Sequence, residues 1–283
     1  MIITNKLGLP DAFVNAVSNE RHNGKGELSA TTLIKGVREI ILEERHFDEI
    51  EIDASDMVNA IFGTAVHSIF ENAESSGFKE EKLYVDIMGV KVTGKIDLYD
   101  MEHGTVFDYK TASVWNVMVG DFKDWRQQGL IYAWLLRSNG FRCDHVTFLA
   151  ELKDFSRTKA ATDASYPQSP VYKYEFDITD ADMSETQCFI MQKVRAYKEA
   201  CSLSDDAICQ CSASERWAKP TTWAVMKIGR KTAVKVHEDC DSAEAHAKAL
   251  GEGHYVTVRK GESTKCLYYC NARAFCKYAS KEE

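Results

Sequence analysis

The stretch that decides the fold spans residues 90–110 and reads VKVTGKIDLYDMEHGTVFDYK. Apolar and polar residues alternate on both sides of a short polar segment, which predicts two strands joined by a turn over residues 100–104. If the loop holds two or four residues centred between positions 102 and 103, Asp97 lies directly opposite Asp108, with Cβ atoms about 5 Å apart. A three-residue loop would break this parity.

Three polar side chains of this hairpin share one face of the sheet. Asp108 and Lys110 are two residues apart on one strand, so they point to the side of Asp97 while Tyr109 points away. Two carboxylates this close repel each other unless one is protonated or a cation lies between them. Oxygen ligands suit Mg²⁺ or Mn²⁺, so phosphodiester hydrolysis is the leading hypothesis. In the alternative, both aspartates are solvated and Lys110 forms a surface ion pair.

Two predicted helices flank the hairpin and carry further polar residues. The first, residues 56–73, holds His67, whose imidazole could complete the shell of a cation, although a lone histidine on such a helix is more often structural. The second, residues 122–138, holds Gln128 and Tyr132 one turn apart among apolar residues. Polar groups inside an apolar helix face need partners, which marks this pair as well.

Taken in order, four motifs resemble those of the PD-(D/E)XK nuclease superfamily, in the RecB-like branch that includes CRISPR-associated adaptation exonucleases and phage exonucleases. The motifs are Gly63 to His67, Gly94 to Asp97, Asp108-Tyr109-Lys110 and Gln128 to Tyr132. The resemblance implies an α/β fold: a central mixed sheet flanked by helices, with N-terminal helices and a C-terminal cysteine-cluster lobe. Many relatives carry Glu where this chain has Asp108, which keeps the chemistry of the ligand.

The resemblance also implies a role for each motif residue. The metal, Mg²⁺ or Mn²⁺, is held by His67, Asp97, Asp108 and the Tyr109 backbone carbonyl. Lys110 positions and polarises the attacking water or the phosphate. The catalytic set also includes Gln128 and Tyr132, which contact substrate or brace the lysine.

A second constellation lies near the C-terminus, where Cys266, Cys270 and Cys276 fall within eleven residues. Three thiols leave a tetrahedral site one ligand short, and the candidates for the fourth are Cys209 and Cys211. Nine cysteines without a secretory signal argue against a disulfide framework. Four thiolates suit an iron-sulfur cluster or zinc, and free thiols are the remaining interpretation.

Members of the RecB-like branch hold a [4Fe-4S] cluster with one upstream cysteine and three near the C-terminus. This chain resembles that arrangement with altered spacing, which implies a [4Fe-4S] cluster, with Zn²⁺ as the alternative. Phage members have a cysteine just before a Glu-Arg-Trp triplet, which favours Cys211 over Cys209. The other cysteines are expected to be ordinary small residues: Cys143, Cys188, Cys201 and Cys240.

Composition sets the remaining limits. The 283 residues are 45% hydrophobic and 28% charged, with no apolar run long enough to span a bilayer, so we expect a soluble protein of the bacterial or phage-infected cytoplasm. We expect one compact unit with three segments: a helical lead over residues 1–55, a nuclease core over 56–155, and an extension with the cysteine lobe over 156–283. A turn is predicted at residues 23–26.

The net charge of −8 is unevenly distributed. Residues 216–237 contain six Lys or Arg residues and no acid, and a basic stripe of this kind can follow a DNA backbone. Aromatic rings beside cations suit stacking on a single strand. The weak DNA-binding candidates are Trp223, Lys227, Arg230 and Lys231. The alternative is a solvated hairpin face with core tryptophans.

The resemblance implies a metal-dependent DNA exonuclease that acts at single-stranded or double-stranded ends, in phage recombination, repair or genome processing. A single-stranded DNA binding protein or a recombinase would be a suitable partner. One alternative is a weakly active or inactive nuclease-fold accessory protein that binds DNA and is stapled by an Fe-S or Zn cluster. Another is a zinc-stapled interaction module whose aspartates are surface residues.

Overall fold

The computed structural model describes residues 1–18, 26–75 and 77–279. The chain divides into two compact units, the first made of Met1–Val37 and Glu51–Ser202, the second of Arg38–Ile50 and Leu203–Glu283. Residues 156–202 are thus grouped with the sheet-bearing unit, whereas the predicted segments placed them with the cysteine lobe. Of the turn predicted at residues 23–26, all but the last residue lies outside the described residues.

Strands and helices alternate along much of the chain. The strands are β1 (Ile2–Thr4), β2 (Glu27–Ser29), β3 (Glu51–Asp53), β4 (Phe78–Ile87), β5 (Val90–Asp100), β6 (Thr105–Ala112), β7 (His145–Leu152), β8 (Val171–Asp177), β9 (Ala218–Lys219), β10 (Thr222–Lys227), β11 (Lys235–His237), β12 (His254–Arg259) and β13 (Glu262–Ser263). The helices are α1 (Asp11–Ser18), α2 (Ala30–Leu33), α3 (Val37–Arg45), α4 (Val58–Asn72), α5 (Val114–Val119), α6 (Lys123–Ser138), α7 (Arg157–Thr162), α8 (Asp180–Cys201), α9 (Cys240–Leu250) and α10 (Thr264–Tyr268). The class is α/β, as predicted.

A six-stranded mixed sheet forms the centre of the first unit. Its order is β2-β5-β6-β7-β8, and β4 pairs with β5 along nearly its whole length. The pairs β2–β5 and β6–β7 are parallel, and the pairs β4–β5, β5–β6 and β7–β8 are antiparallel. Helix α6 packs on this sheet with a run of buried residues from Gln128 to Leu136. The predicted central mixed sheet flanked by helices is confirmed.

The hairpin of β5 and β6 has the predicted register. Leu98 pairs with Phe107 and Asp100 with Thr105, so the loop holds four residues, 101–104. The pairing ends at Leu98, because the same edge of β5 pairs with β2 further upstream, over residues 91–93. Residues 94–97 therefore have no strand partner on this edge among the described residues, and β5 and β6 separate just where Asp97 lies.

Residues 30–45 form two helices, α2 and α3, separated at residues 34–36. Gly36 lies in the gap, and a glycine inside a helix costs about 1 kcal/mol relative to alanine. Ser29 caps α2, with its Oγ accepting a hydrogen bond from the Thr32 backbone N–H at 3.1 Å.

The second unit contains a small sheet with the order β11-β10-β12, on which α9 packs. The order along the chain in this part is strand, strand, helix, strand. The short strands β9 and β13 pair with each other, and α10 leads into the last cysteines. Across residues 1–18, 26–75 and 77–279, no helix has the length and apolar character needed to cross a membrane.

Candidate functional site

The two aspartates of the hairpin are buried where β5 and β6 separate. Asp97 is 8% exposed and Asp108 is 2% exposed. Because the strand pairing has ended, the Tyr109 backbone N–H has no strand acceptor there and donates to Asp97 Oδ2 at 2.8 Å. The alternative with solvated aspartates is therefore wrong, and so is the premise of an interaction module whose aspartates lie on the surface.

Helix α4 brings His67 to the first of these carboxylates. His67 Nδ1 lies 3.0 Å from Asp97 Oδ1. The hydrogen bond to Asp97 raises the pKa of the His67 imidazole, against the opposing effect of burial. Phe70, one turn further along α4, stacks on Tyr109 with ring centroids 4.1 Å apart. This stacking fixes the helix against β6 and holds the imidazole over the site.

Asp108 contacts two predicted site residues. Lys110 Nζ lies 2.6 Å from Asp108 Oδ2, and Gln128 Nε2 donates to Asp108 Oδ1 at 3.2 Å. Burial raises the pKa of Asp108 to about 6, against the attraction of Lys110, and the Asp97 carboxylate adds to the rise. The site therefore holds two carboxylates in one desolvated place. Burial there disfavours the ionised form of Asp108 relative to the protonated form.

Helix α6 supports Asp108 from below. Gln128 Nε2 also lies 2.8 Å from the Tyr132 hydroxyl, so one buried amide joins the tyrosine to the aspartate. Burial raises the pKa of Tyr132 well above its ordinary value, so this hydroxyl stays protonated. We expected the pair to contact substrate or brace Lys110. The structure has Gln128 bracing Asp108, because its amide donates to that carboxylate, and the contact of this pair with substrate stays a prediction.

Two glycines of the sequence motifs have different surroundings. A Cβ on Gly94 would lie 2.6 Å from Leu135 Cδ1 and 3.0 Å from Tyr132 Cδ1. Both neighbours are buried side chains that cannot move away freely. A Cβ on Gly63, in α4, would meet nothing within 4 Å. Gly94 is therefore needed for the close packing of Tyr132, whereas Gly63 is not needed for packing.

We expect Gly94→Ala to destabilise the protein by about 1–3 kcal/mol through overpacking, and to lower any activity that depends on the Tyr132–Gln128–Asp108 chain. Gly63→Ala is the matched control, and alanine should leave stability unchanged or raise it by up to about 1 kcal/mol. Urea unfolding of both variants measures the difference. Equal stabilities for the two variants would contradict this account of Gly94.

The donor set of this site fits a hard divalent cation. Asp108 Oδ2 is fully buried, and within the described part of the chain no hydrogen bond of ordinary geometry reaches it, although Lys110 Nζ is close. Mg²⁺ and Mn²⁺ prefer oxygen ligands, and a buried carboxylate oxygen with a free lone pair beside a second carboxylate is a ligand of this type. No group of three or more His, Cys, Asp or Glu side chains among the described residues is arranged as a ready-made metal site.

Four of the cysteines line one small cavity in the second unit. They are Cys211, Cys266, Cys270 and Cys276. Cys209, the other candidate for the fourth position, is exposed and does not line it. Burial raises the pKa of the Cys270 thiol to about 12, and the Glu39 carboxylate adds to the rise. Burial also raises the pKa of Cys211 and of Cys266.

The sequence reasoning missed Arg38, whose guanidinium lies against this cavity. Arg38 is 2% exposed, and its Nε donates to Cys276 Sγ at 3.2 Å. Its Nη1 donates to the backbone carbonyls of Asp205 and Ile208, and its Nη2 is buried with no partner among the described residues. The available signal was that an arginine occupies the apolar stripe that also contains Ile41 and Leu42.

A buried guanidinium requires an anion nearby, because taking an uncompensated charge out of water is costly. No carboxylate of the described residues forms an ion pair with Arg38. Its guanidinium contacts the Cys276 thiol and the Tyr278 ring, whose centre lies 4.9 Å from Arg38 Cζ. Thiolates bound to a metal centre would supply the missing negative charge. The four thiols with this cation suit a thiolate-ligated centre in their chemistry, but within the described residues no three of them are already placed to hold a metal.

His46, in the same unit, lies between two carboxylates. Its Nδ1 is 2.8 Å from Glu49 Oε1 and its Nε2 is 2.7 Å from Asp205 Oδ2, while its ring stacks on Phe275. The hydrogen bond to Asp205 is the main cause that raises the pKa of His46 above the ordinary value of 6.5. Such a group adds stability that is fully present below pH 6.5 and is lost as the pH rises through the folded-state pKa.

We expect His46→Gln to remove about 1 kcal/mol more stability at pH 6 than at pH 9, a modest figure because these ion pairs are partly solvated. Chemical unfolding of both proteins at several pH values measures this. His254→Gln is the control, since its ring lies beside a backbone carbonyl, that of Gly251. A His46→Gln effect that is the same at every pH would contradict the assignment.

The weak DNA-binding candidates separate into two kinds of residue. Lys227, Arg230 and Lys231 are exposed around the turn that joins β10 to β11. Trp223 is only partly exposed and packs with Val225 in the core beneath α9, which corrects its expected role as a stacking platform.

Comparison with solved structures finds several exonucleases. A phage-related exonuclease from Haemophilus somnus 129PT has a TM-score of 0.40 at 14% identity, with 63% of this chain and 99% of that chain covered. An alkaline exonuclease from Laribacter hongkongensis, LHK-Exo, has a TM-score of 0.39 at 13% identity, with 62% and 90% covered. A protein described as SSO0001 has a TM-score of 0.44 at 15% identity, with 64% and 84% covered.

Neither a scan against models of protein families nor a search of curated proteins finds a match. The architecture that the motifs predict is nevertheless present in the chain itself. A mixed sheet places the Asp97 and Asp108 strands side by side, and helices α4 and α6 bring the histidine and the glutamine to them. This is the α/β architecture that the sequence motifs predict.

Proposed function

We propose that this protein is a metal-dependent deoxyribonuclease that hydrolyses phosphodiester bonds at DNA ends. One observation carries the proposal: two buried carboxylates and a lysine meet where β5 and β6 separate. Burying two like charges together is unfavourable unless one is protonated or cations compensate them, and a bound divalent cation would do so together with Lys110 and His67. Two of the solved structures found by comparison are described as a phage-related exonuclease and an alkaline exonuclease.

The proposed metal ligands are the oxygens of Asp97 and Asp108, the Tyr109 carbonyl and the His67 imidazole. A bound Mg²⁺ or Mn²⁺ would supply charge stabilisation at the phosphate and a more acidic water. The chain's own residues do the rest of the positioning. Asp97 accepts a hydrogen bond from the Tyr109 backbone N–H and so positions this backbone at the site. Gln128 donates to Asp108 and so fixes the rotamer of that side chain.

Lys110 is the proposed electrostatic residue of the reaction. Its ammonium group forms an ion pair with Asp108, at 2.6 Å from Oδ2. It also lies 5.5 Å from the centre of the Phe148 ring, and this cation–π contact favours the same position. Its side chain is partly exposed, unlike that of Asp108. A cation with this exposure can contact a phosphate oxygen or orient a water while the aspartate remains beneath it.

The direct test is digestion of end-labelled single-stranded and double-stranded DNA by the purified protein with Mg²⁺, Mn²⁺ or EDTA. We expect release of nucleotides from an end only with a divalent metal, and no digestion of a covalently closed circle, which has no end. No cleavage with either metal, on any of the three substrates, would overturn the proposal. The cellular process that we propose for this nuclease activity is recombination. Its partner there would be a single-stranded DNA binding protein or a recombinase.

We also propose that Cys211, Cys266, Cys270 and Cys276 hold a [4Fe-4S] cluster, with Zn²⁺ as the alternative. The supporting observation is the buried Arg38 guanidinium at Cys276, since neutral thiols would leave its charge uncompensated. Colour distinguishes the two metals, because a brown protein with charge-transfer absorption contains iron and sulfur. A colourless anaerobic preparation with stoichiometric zinc would identify the alternative.

A further inference from the structure

The second unit carries a small module, residues 222–259, with one covered and one open sheet face. Strands β10, β11 and β12 form an antiparallel sheet, and α9 packs on it through a buried core of Val225, Ala243 and Ala247. Val256 of β12 packs into the same core. Successive residues of a strand point to opposite faces, so the neighbours of Val256 belong to the other face.

That other face presents an aromatic ring, an arginine and small side chains. Tyr255, Thr257 and Arg259 alternate with Val256 on β12 and are all exposed, Tyr255 at 46%. Val236 of β11 is 43% exposed and lies across β10 from Thr257, since both residues pair with Ala224. We call these residues, with the turn between β10 and β11, the open face.

Charge is segregated within this module. The strand segments, residues 222–237 and 254–260, contain six basic residues and no acidic one, whereas residues 238–253, which include α9, contain five acidic residues and one lysine. The six are Lys227, Arg230, Lys231, Lys235, Arg259 and Lys260. Within the part of the chain that the structure describes, none of the six forms an ion pair with a carboxylate. In a chain of net charge −8, six exposed cations without a carboxylate partner around one sheet form a locally positive surface that attracts an anionic ligand.

We propose that the open face binds a single strand of DNA, with phosphates on the basic residues and a base on the Tyr255 ring. Phosphate contacts require cations that are not already paired, and an exposed aromatic ring offers a stacking platform that accepts any base. The identification of the polyanion as DNA rests on the proposed function. The surface is separate from the residues assigned to the chemistry, so it would hold the strand rather than cut it.

The test measures binding of a fluorescein-labelled thymidine 20-mer by anisotropy, in the full-length Asp108→Asn protein, over a range of salt concentrations. Tyr255→Ala should weaken binding by about tenfold, as expected for the loss of one base stack. Arg259→Ala should reduce the slope of log K against log salt by about 0.7, as expected for one phosphate contact on a single strand. Lys248→Ala, on α9, is the matched control and should change neither quantity.

Binding by Tyr255→Ala and Arg259→Ala within twofold of the parent would overturn the proposal, as would an equal loss in Lys248→Ala. Polyglutamate is added as a competitor to test for an acidic polypeptide ligand. If polyglutamate displaces the labelled DNA from the parent at a lower concentration than unlabelled thymidine 20-mer does, the open face is a protein-binding surface and the proposal fails. If wild-type protein cleaves no DNA but this binding pattern holds, the proposed function fails and the open face stands.

Discussion

Asp108→Asn is expected to reduce metal-dependent DNA cleavage by at least about a thousandfold while leaving the protein folded. The asparagine keeps the shape of the side chain but removes the charged oxygen that is buried beside Lys110. Metal-assisted charge stabilisation is worth several kcal/mol in the transition state, and each 1.36 kcal/mol is a factor of ten in rate. Initial rates on an end-labelled substrate, with circular dichroism for folding, measure the effect.

Asp86→Asn is the matched control, because this exposed aspartate lies in the neighbouring hairpin, where it accepts a hydrogen bond from the Gly89 backbone N–H. It should cleave DNA like the wild type. Activity of Asp108→Asn within tenfold of the wild type would contradict the assignment of Asp108 to the site. A folded but inactive Asp86→Asn protein would show that activity is sensitive to any change of charge, and would equally remove the support for Asp108.

Cys270→Ser is expected to lose the bound metal centre and to lower the melting temperature by about 10 °C. A thiolate-bound metal contributes a large part of its binding free energy to folding. A loss of about 3–5 kcal/mol in a chain of this size corresponds to a shift of this order. Elemental analysis for iron and zinc, the visible absorption spectrum and a thermal melt measure the three consequences together.

Cys188→Ser is the control, since this exposed thiol of α8 lies away from the cavity that the four cysteines share. It should keep the metal content, the spectrum and the melting temperature of the wild type. A Cys270→Ser protein with an unchanged metal content would exclude Cys270 as a ligand. Wild-type protein with no bound iron or zinc after anaerobic purification would exclude the centre altogether.

The local sequence was sufficient for the hairpin, because its determinants are close together. Alternation fixed the two strands, and a four-residue loop fixed the register that places Asp97 across from Asp108. The helices that carry His67 and Gln128 were also predicted from spacing alone. These strands and helices are determined by residues that are close together in the chain. Such local patterns can be read from one sequence.

The sequence was less informative wherever the determinant is distant. Nothing near Asp97 shows that β2, more than sixty residues upstream, pairs with part of the same edge of β5. Nor does it show that β5 and β6 separate further along this edge. The brace of Asp108 by Gln128 and the requirement for a glycine at position 94 also arise from contacts between separate elements. Arg38 is the clearest case, since its burial depends on Asp205, Ile208 and Cys276.

The sequence by itself determined the paired carboxylates and the group of cysteines, because each follows from periodicity or from spacing along the chain, and the resemblance of its motifs implied the class of fold. Only the tertiary structure decided which oxygen is buried without a hydrogen bond, which cysteines share a cavity and which face of the small sheet is open. The physical reason is that desolvation is a property of position in the folded chain. A carboxylate, a guanidinium or a tyrosine has the same chemistry in every sequence, and its surroundings give it a function.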